Sequence, residues 1–184
     1  GAFLMCDGLC DGLKANTNVV APILRGQGLP SDPVQKYNAI RDMYVGEVDV
    51  KEILDLTEAL QSAMSGFLLF FLDGVDRAMA FSVQGFMTRS IEDSVSDVQS
   101  RGAREAFIEN FKANITLIRR RLKTPDLRIE SQVIGMTSNT TICICYLADR
   151  IDNDLLDEVR SRIGKVQLDT VFSSGYIQAF LESS

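Results

Sequence analysis

The stretch from Gly66 to Val83 constrains this chain's fold more than any other. Phe67 to Leu72 is an uninterrupted apolar run, with the length and composition of a strand buried on both faces. Asp73-Gly74 follows as a turn dipeptide, and Ala78 to Val83 is a second strand-like run. Together they predict a β-hairpin. Helical signals lie upstream, and strand, helices, helix, strand, strand is the order of a small α/β or α+β layer.

Upstream, Phe3-Leu4-Met5-Cys6 reads as a short buried strand running into the Asp7-Gly8 turn. Its abrupt start suggests a protein that extends further upstream. Asp32 as N-cap, Pro33 at the first helical position and Gln35 three residues after the cap predict a helix through about Arg41. Met43 to Val48 reads as extended. Asp49 and Glu52 have capping-box spacing, and Ile53, Leu56, Leu60 and Met64 then recur at helical intervals until Gly66.

Downstream, Ser90, Ser94, Ser96 and Ser100 alternate with Glu92, Asp93 and Asp97, and no apolar face is sustained from Gly85 to Gly102. Phe107, Ile108, Phe111, Ile115, Ile118 and Leu122 then trace one stripe of a long helix, ended by Lys123-Thr124-Pro125. Leu127 to Gly135 alternates and Thr140 to Leu147 is rich in Thr and Ile, which predicts a two-stranded pair. Asp152 or Asn153 caps a helix with acids in its first turns, Arg160 and Arg162 at its end, and Gly164 as its close. A short strand at Val166–Leu168 and a last helix from about Ser174 to Leu181 complete the pattern. The expected architecture is two small mixed α/β subdomains, 1–88 and 104–184, joined by a linker over 89–103, with the long basic helix in the second.

The chain has 184 residues, with no His and no Trp. Without His, a Ser-His-Asp or Cys-His arrangement and histidine-ligated zinc are excluded, and a base poised near neutral pH has to be a strongly shifted carboxylate, Cys or Lys. Apolar residues make up 46% and charged residues 24%, ordinary for a globular chain that buries a core. No apolar run approaches the roughly 18 residues of a membrane span, and the reading is of a soluble chain. Cys6, Cys10, Cys143 and Cys145 have thiolate metal-ligand chemistry, but C-x-x-x-C and C-x-C match the usual C-x-x-C knuckle poorly. Small buried hydrophobes are the simpler reading. Asp7, Asp11 and Asp73 each precede Gly, so turn formation explains them more simply than hydrolase chemistry. The reading assigns no catalytic residue, metal or cofactor.

Charge is unevenly placed. Arg101 to Arg128 holds eight basic residues against three acidic ones, a local +5 in a chain of net −6, so the remainder carries −11. Arg119, Arg120 and Arg121 fan over about 200° of a helix and cannot all meet one partner. The acidic total and sparse aromatics argue against nucleic acid.

The run Arg89-Ser90-Ile91-Glu92, then Arg101-Gly102-Ala103-Arg104-Glu105-Ala106-Phe107-Ile108-Glu109-Asn110, then Asn114 to Arg121 resembles the RSI…RGPREGF…N…LIRRR signature of the A subunit of GerA-type spore nutrient-germinant receptors. Ala103 and Ala106 stand where that signature has Pro and Gly. Asp7-Gly8-Leu9, Gly66 to Gly74 and Tyr146-Leu147-Ala148 are similar to the same family, so the likeness covers nearly the whole chain. It implies a larger subunit in the spore inner membrane, with this soluble region on the spore-core side. The implied partners are B and C subunits and other A subunits. It implies a non-enzymatic role in germination, in subunit assembly and signal transmission. The expected contact residues are Arg89, Arg101, Arg104, Glu105, Glu109, Asn110, Asn114, Arg119, Arg120 and Arg121. The alternative is a small-molecule germinant held in a cleft between the subdomains by Arg side chains.

Overall fold

The computed structural model of the chain describes residues 1–43, 48–85, 107–108, 110–171 and 173–182. The expected linker, 89–103, lies outside the described residues, as does most of the extended stretch expected from Met43 to Val48. The fold is mixed α/β with two antiparallel sheets, in two units, Gly1–Pro125 and Asp126–Ser184.

The first unit is built on a four-stranded sheet. Its central hairpin is β3 (Phe67–Phe71) and β4 (Ala78–Ser82), paired from Phe67↔Ser82 to Phe71↔Ala78. Asp73-Gly74 makes the expected turn, with Gly74 at φ +81°. β1 (Ala2–Leu4) borders β3 and β2 (Val50–Ile53) borders β4, giving the order β1-β3-β4-β2. Strand alternation sends Leu68, Phe70, Met79 and Phe81 to one face and Leu69, Ala78 and Ala80 to the other. All seven are at most 4% exposed, so the hairpin is buried on both faces.

Each face has its own cover. The first packs against Ala15, Val19 and Ile23 of the segment 12–25, and against Tyr37 and Ile40 of α3 (Pro33–Met43). Asp32 caps α3 as expected, accepting from Gln35 N at 2.8 Å. Buried Tyr37 donates its hydroxyl to the Ala78 carbonyl at 3.1 Å, and burial pushes its pKa up to about 12. The 12–25 segment runs as α1 (Gly12–Ala15), a π-helical turn (Asn16–Val20) and α2 (Ala21–Arg25). Ala21 N–H reaches back five residues to the Asn16 carbonyl. The wide turn stands just before Pro22, whose ring would collide with the carbonyl four residues earlier in a regular helix.

The second face is covered by α4 (Leu56–Met64), whose Ala59 and Ala63 join Ile53, Leu69, Ala78 and Ala80 in one buried cluster. Here the sequence expectation is corrected, because the helix does not start at Asp49. Val50–Ile53 pairs with β4, from Val50↔Phe81 to Ile53↔Ala78, and the cap is Asp55, accepting from Glu58 N at 2.9 Å. Both acid pairs have cap spacing, and ladder bonds to β4 claim the first. β1 is also shorter than expected and lies at the sheet edge with Ala2 and Leu4 exposed.

The long helix is α5 (Phe111–Arg121), four residues later in its start than the apolar stripe suggests. Asn110 is its N-cap, accepting from Lys112 N at 3.0 Å and Ala113 N at 3.4 Å. Leu117 is its buried residue, while Phe111, Ile115 and Ile118 are half-buried. α5 falls within the first unit, whereas the sequence placed it in the second.

The second unit is a ribbon of β5 (Leu127–Ile134) and β6 (Thr140–Leu147), paired over eight positions from Leu127↔Leu147 to Ile134↔Thr140. α6 (Asn153–Gly164), capped by Asp152, and α7 (Gly175–Glu182) accompany it. Ile134, Ile163 and Val171 form its core, with Ile142, Ile144, Val159 and Ile177 packed around them. No strand forms at Val166–Leu168. The Leu168 and Asp169 carbonyls instead accept from Met136, Thr137 and Ser138, in the turn between β5 and β6.

Candidate functional site

Of the ten expected contact residues, Arg89, Arg101, Arg104, Glu105 and Glu109 lie outside the described residues. The other five are on or beside α5, and three have defined jobs. Asn110 is the cap. The Asn114 carboxamide accepts from Ile108 N at 2.8 Å and donates to Ile108 O at 2.7 Å, closing a ring that fixes the chain's entry into the helix. Arg119 donates from its guanidinium to the Asp7 carbonyl. Arg120 is half-buried and Arg121 exposed at the helix's C-terminal turn, where cations oppose the negative end of the helix dipole.

Arg119 acts where α5 meets the N-terminal turn. Leu9 N–H donates to the Cys6 carbonyl at 3.2 Å, and Gly8 stands at φ +83°. A Cβ on Gly8 would lie 2.4 Å from Thr116 Oγ1, so helix and turn approach as closely as glycine permits. The turn is fixed on its far side too. Cys10 bridges to Gln84, Asp11 N–H donates to Val83 O at 2.8 Å, and Gln84 Nε2 donates to Ser65 O at 2.8 Å. Gly66, at φ +87°, would carry a Cβ only 2.7 Å from the Leu9 carbonyl. The N-terminal turn, the ends of β4 and α4, and the middle of α5 thus converge on one packed node.

This node has the means to hold shape, and its two thiols are poorly suited to proton transfer near neutral pH. Burial pushes the Cys6 thiol up, with the Arg119 guanidinium opposing, and pushes Cys10 up to about 11. Both stay protonated and weakly nucleophilic. Asp11, expected to form a turn with Gly12, instead caps α1 by accepting from Lys14 N at 3.0 Å. Among the described residues, no group of three or more His, Cys, Asp or Glu could hold a metal ion.

The sequence reading missed a second polar cluster, in the second unit. Glu130 of β5 accepts from Tyr146 of β6 at 2.6 Å and from Arg160 of α6 at 3.0 Å through Nε and 2.5 Å through a terminal nitrogen; Arg160 also reaches Asp157 at 2.8 Å. The Arg160 fork and then the Tyr146 hydroxyl pull the Glu130 pKa down to about 2. Direct pairing in the ribbon does not bring them together, since Arg128, not Glu130, lies opposite Tyr146 and Arg160 comes from α6; they meet through side chains in the folded unit. No spacing along the chain marks them.

Over residues 1–184 the chain matches the family model for the Bacillus/Clostridium GerA spore germination protein. It is 30% identical to Spore germination protein KA of Bacillus subtilis (strain 168), over 98% of this chain and 33% of that one. To Spore germination protein XA of Bacillus anthracis it is 33% identical, over 63% of this chain and 24% of the relative. It thus spans a third or less of either relative. The crystal structure of the N-terminal domain of the A subunit of the Bacillus megaterium spore germinant receptor GerK3 has the same fold. The TM-score is 0.70 at 23% identity, covering 98% of this chain and 64% of that one. With the whole of its length matched, the chain belongs to the GerA spore germination protein family.

Proposed function

We propose that this chain is the N-terminal region of a nutrient germinant receptor A subunit and acts in spore germination by subunit assembly and signal transmission, without catalysis. The carrying observation is the GerA match across residues 1–184, which places the whole chain among germination proteins. The α5 node supports a mechanical role. Its polar side chains cap, clamp and dock backbone, and this ties a cationic helix to the end of a rigid sheet.

In this reading the basic end of α5, together with Arg89, Arg101, Arg104, Glu105 and Glu109, contacts B and C subunits or further A subunits in the spore inner membrane, with this region on the spore-core side. The fall in optical density of spores given nutrient, with co-purification of the other subunits, tests it in the full-length protein. Arg104→Glu and Arg120→Glu lower both while the circular dichroism of the purified chain is unchanged. Wild-type germination and co-purification in both variants would refute the contact role.

A further inference from the structure

We propose that the first unit contains a binding site for a small organic anion with an apolar body, at the open end of its core between β1, α2 and α3. The recess has a volume of about 400 Å3, within the range of small-molecule sites. Its inner wall is core, since Ile23, Ile40 and Phe70 are at most 8% exposed. Phe3 closes one side, its ring 4.8 Å from that of Phe70, and Leu29 of the α2–α3 connection closes another. The site shares no residue with the α5 node.

Two cations border the recess, the Gly1 ammonium, which is paired with Asp73 at 3.4 Å, and Lys36, the one charged side chain in the lining, which decides the ligand's charge. Lys36 is half-buried, and among the described residues no carboxylate pairs with it. Arg41, also half-buried on α3, is by contrast paired with Glu52 at 3.1 Å. A cation beside an apolar recess gains most from an anion whose body also covers the recess, because the ligand then removes apolar surface from water while it pairs the charge. A neutral ligand leaves the ammonium unpaired, and a cation is repelled. The ligand class is therefore a monocarboxylate with a branched or aromatic body. Leu24, 75% exposed at the rim, supplies further apolar surface to a ligand that protrudes.

Calorimetry and amide NMR on the 184-residue chain test this with 4-methylpentanoate and phenylacetate, their neutral amides, and acetate. The two apolar carboxylates bind saturably and shift the amides of Ile23, Gly26, Gly28 and Lys36. Their amides and acetate bind about tenfold more weakly or not at all. Lys36→Met lowers carboxylate affinity about tenfold at unchanged thermal midpoint, and Leu29→Trp, which fills the recess, removes binding. Saturation by neither carboxylate overturns the proposal. So does equal binding of the neutral amides, which needs no variant, or undiminished carboxylate binding in a folded Lys36→Met or Lys36→Gln.

Discussion

Glu130 is partly open to solvent, with 37% of its side chain exposed, yet it accepts hydrogen bonds from three donor atoms. Its carboxyl is held at about 2 against an ordinary 4.5. A depressed carboxyl stabilises the fold fully above its unfolded pKa and loses that contribution as pH falls through the folded one. The contribution is thus whole above about pH 4.5 and fades toward pH 2. We expect the urea midpoint of the wild-type chain to fall more steeply over that window than that of Glu130→Gln, with the difference shrinking in high salt. Gly8 gives a second prediction. Gly8→Ala forces a Cβ onto Thr116 Oγ1 at positive φ, and costs about 1–3 kcal/mol in denaturant unfolding. Adding Thr116→Ala recovers only part, because it relieves the clash and leaves the backbone strain. At this scale the turn dipeptides and the Asp32 cap were legible, because they act through neighbours in sequence. Asn110 and Asn114 stand out in the sequence through the family likeness, and the fold gives each a local task as well. Asn110 lies just before the helix, the position of a cap, and Asn114 answers to a backbone six residues away.

Among the elements, α4 depends on small side chains. Ala59 and Ala63 sit four residues apart and share one buried cluster with Ile53, Leu69, Ala78 and Ala80, so the buried positions of the helix carry only methyl groups. Ala63→Leu should cost about 1–3 kcal/mol through overpacking, read as a lower denaturation midpoint. The corrected helix start is testable in the same way. Asp55→Ala removes the cap and costs about 1 kcal/mol, whereas Asp49→Ala changes stability by less than about 0.5 kcal/mol, since Asp49 offers its carbonyl to Ser82 N. The hairpin, α3, α6 and the β5–β6 pair were legible because period and punctuation agree in each. The 12–25 segment carries Asn16, Thr17, Asn18 and Pro22, poor helix formers, and is held helical by burial of Ala15, Val19 and Ile23. Val50–Ile53 needed knowledge of its partner β4.

For the molecule as a whole, protection from solvent should follow the number of covered faces and paired edges. β3 and β4 have neighbours on both edges and core on both faces. Their amides should exchange most slowly in native-state hydrogen exchange, ahead of β5 and β6, which have one paired edge each. Faster exchange in β3 than in β6 would contradict this account of where the stability resides. Family membership was legible in the arginine-rich signature, while the division of the chain was not, because α5's attachment to the first unit is a contact between distant segments. That attachment, from Arg119 to Asp7, closes a separation of 112 residues. A ribosome therefore releases the N-terminal turn long before the helix that completes it. The nascent first unit must wait, with its last surface uncovered, until the 112 residues that separate Asp7 from Arg119 have been translated.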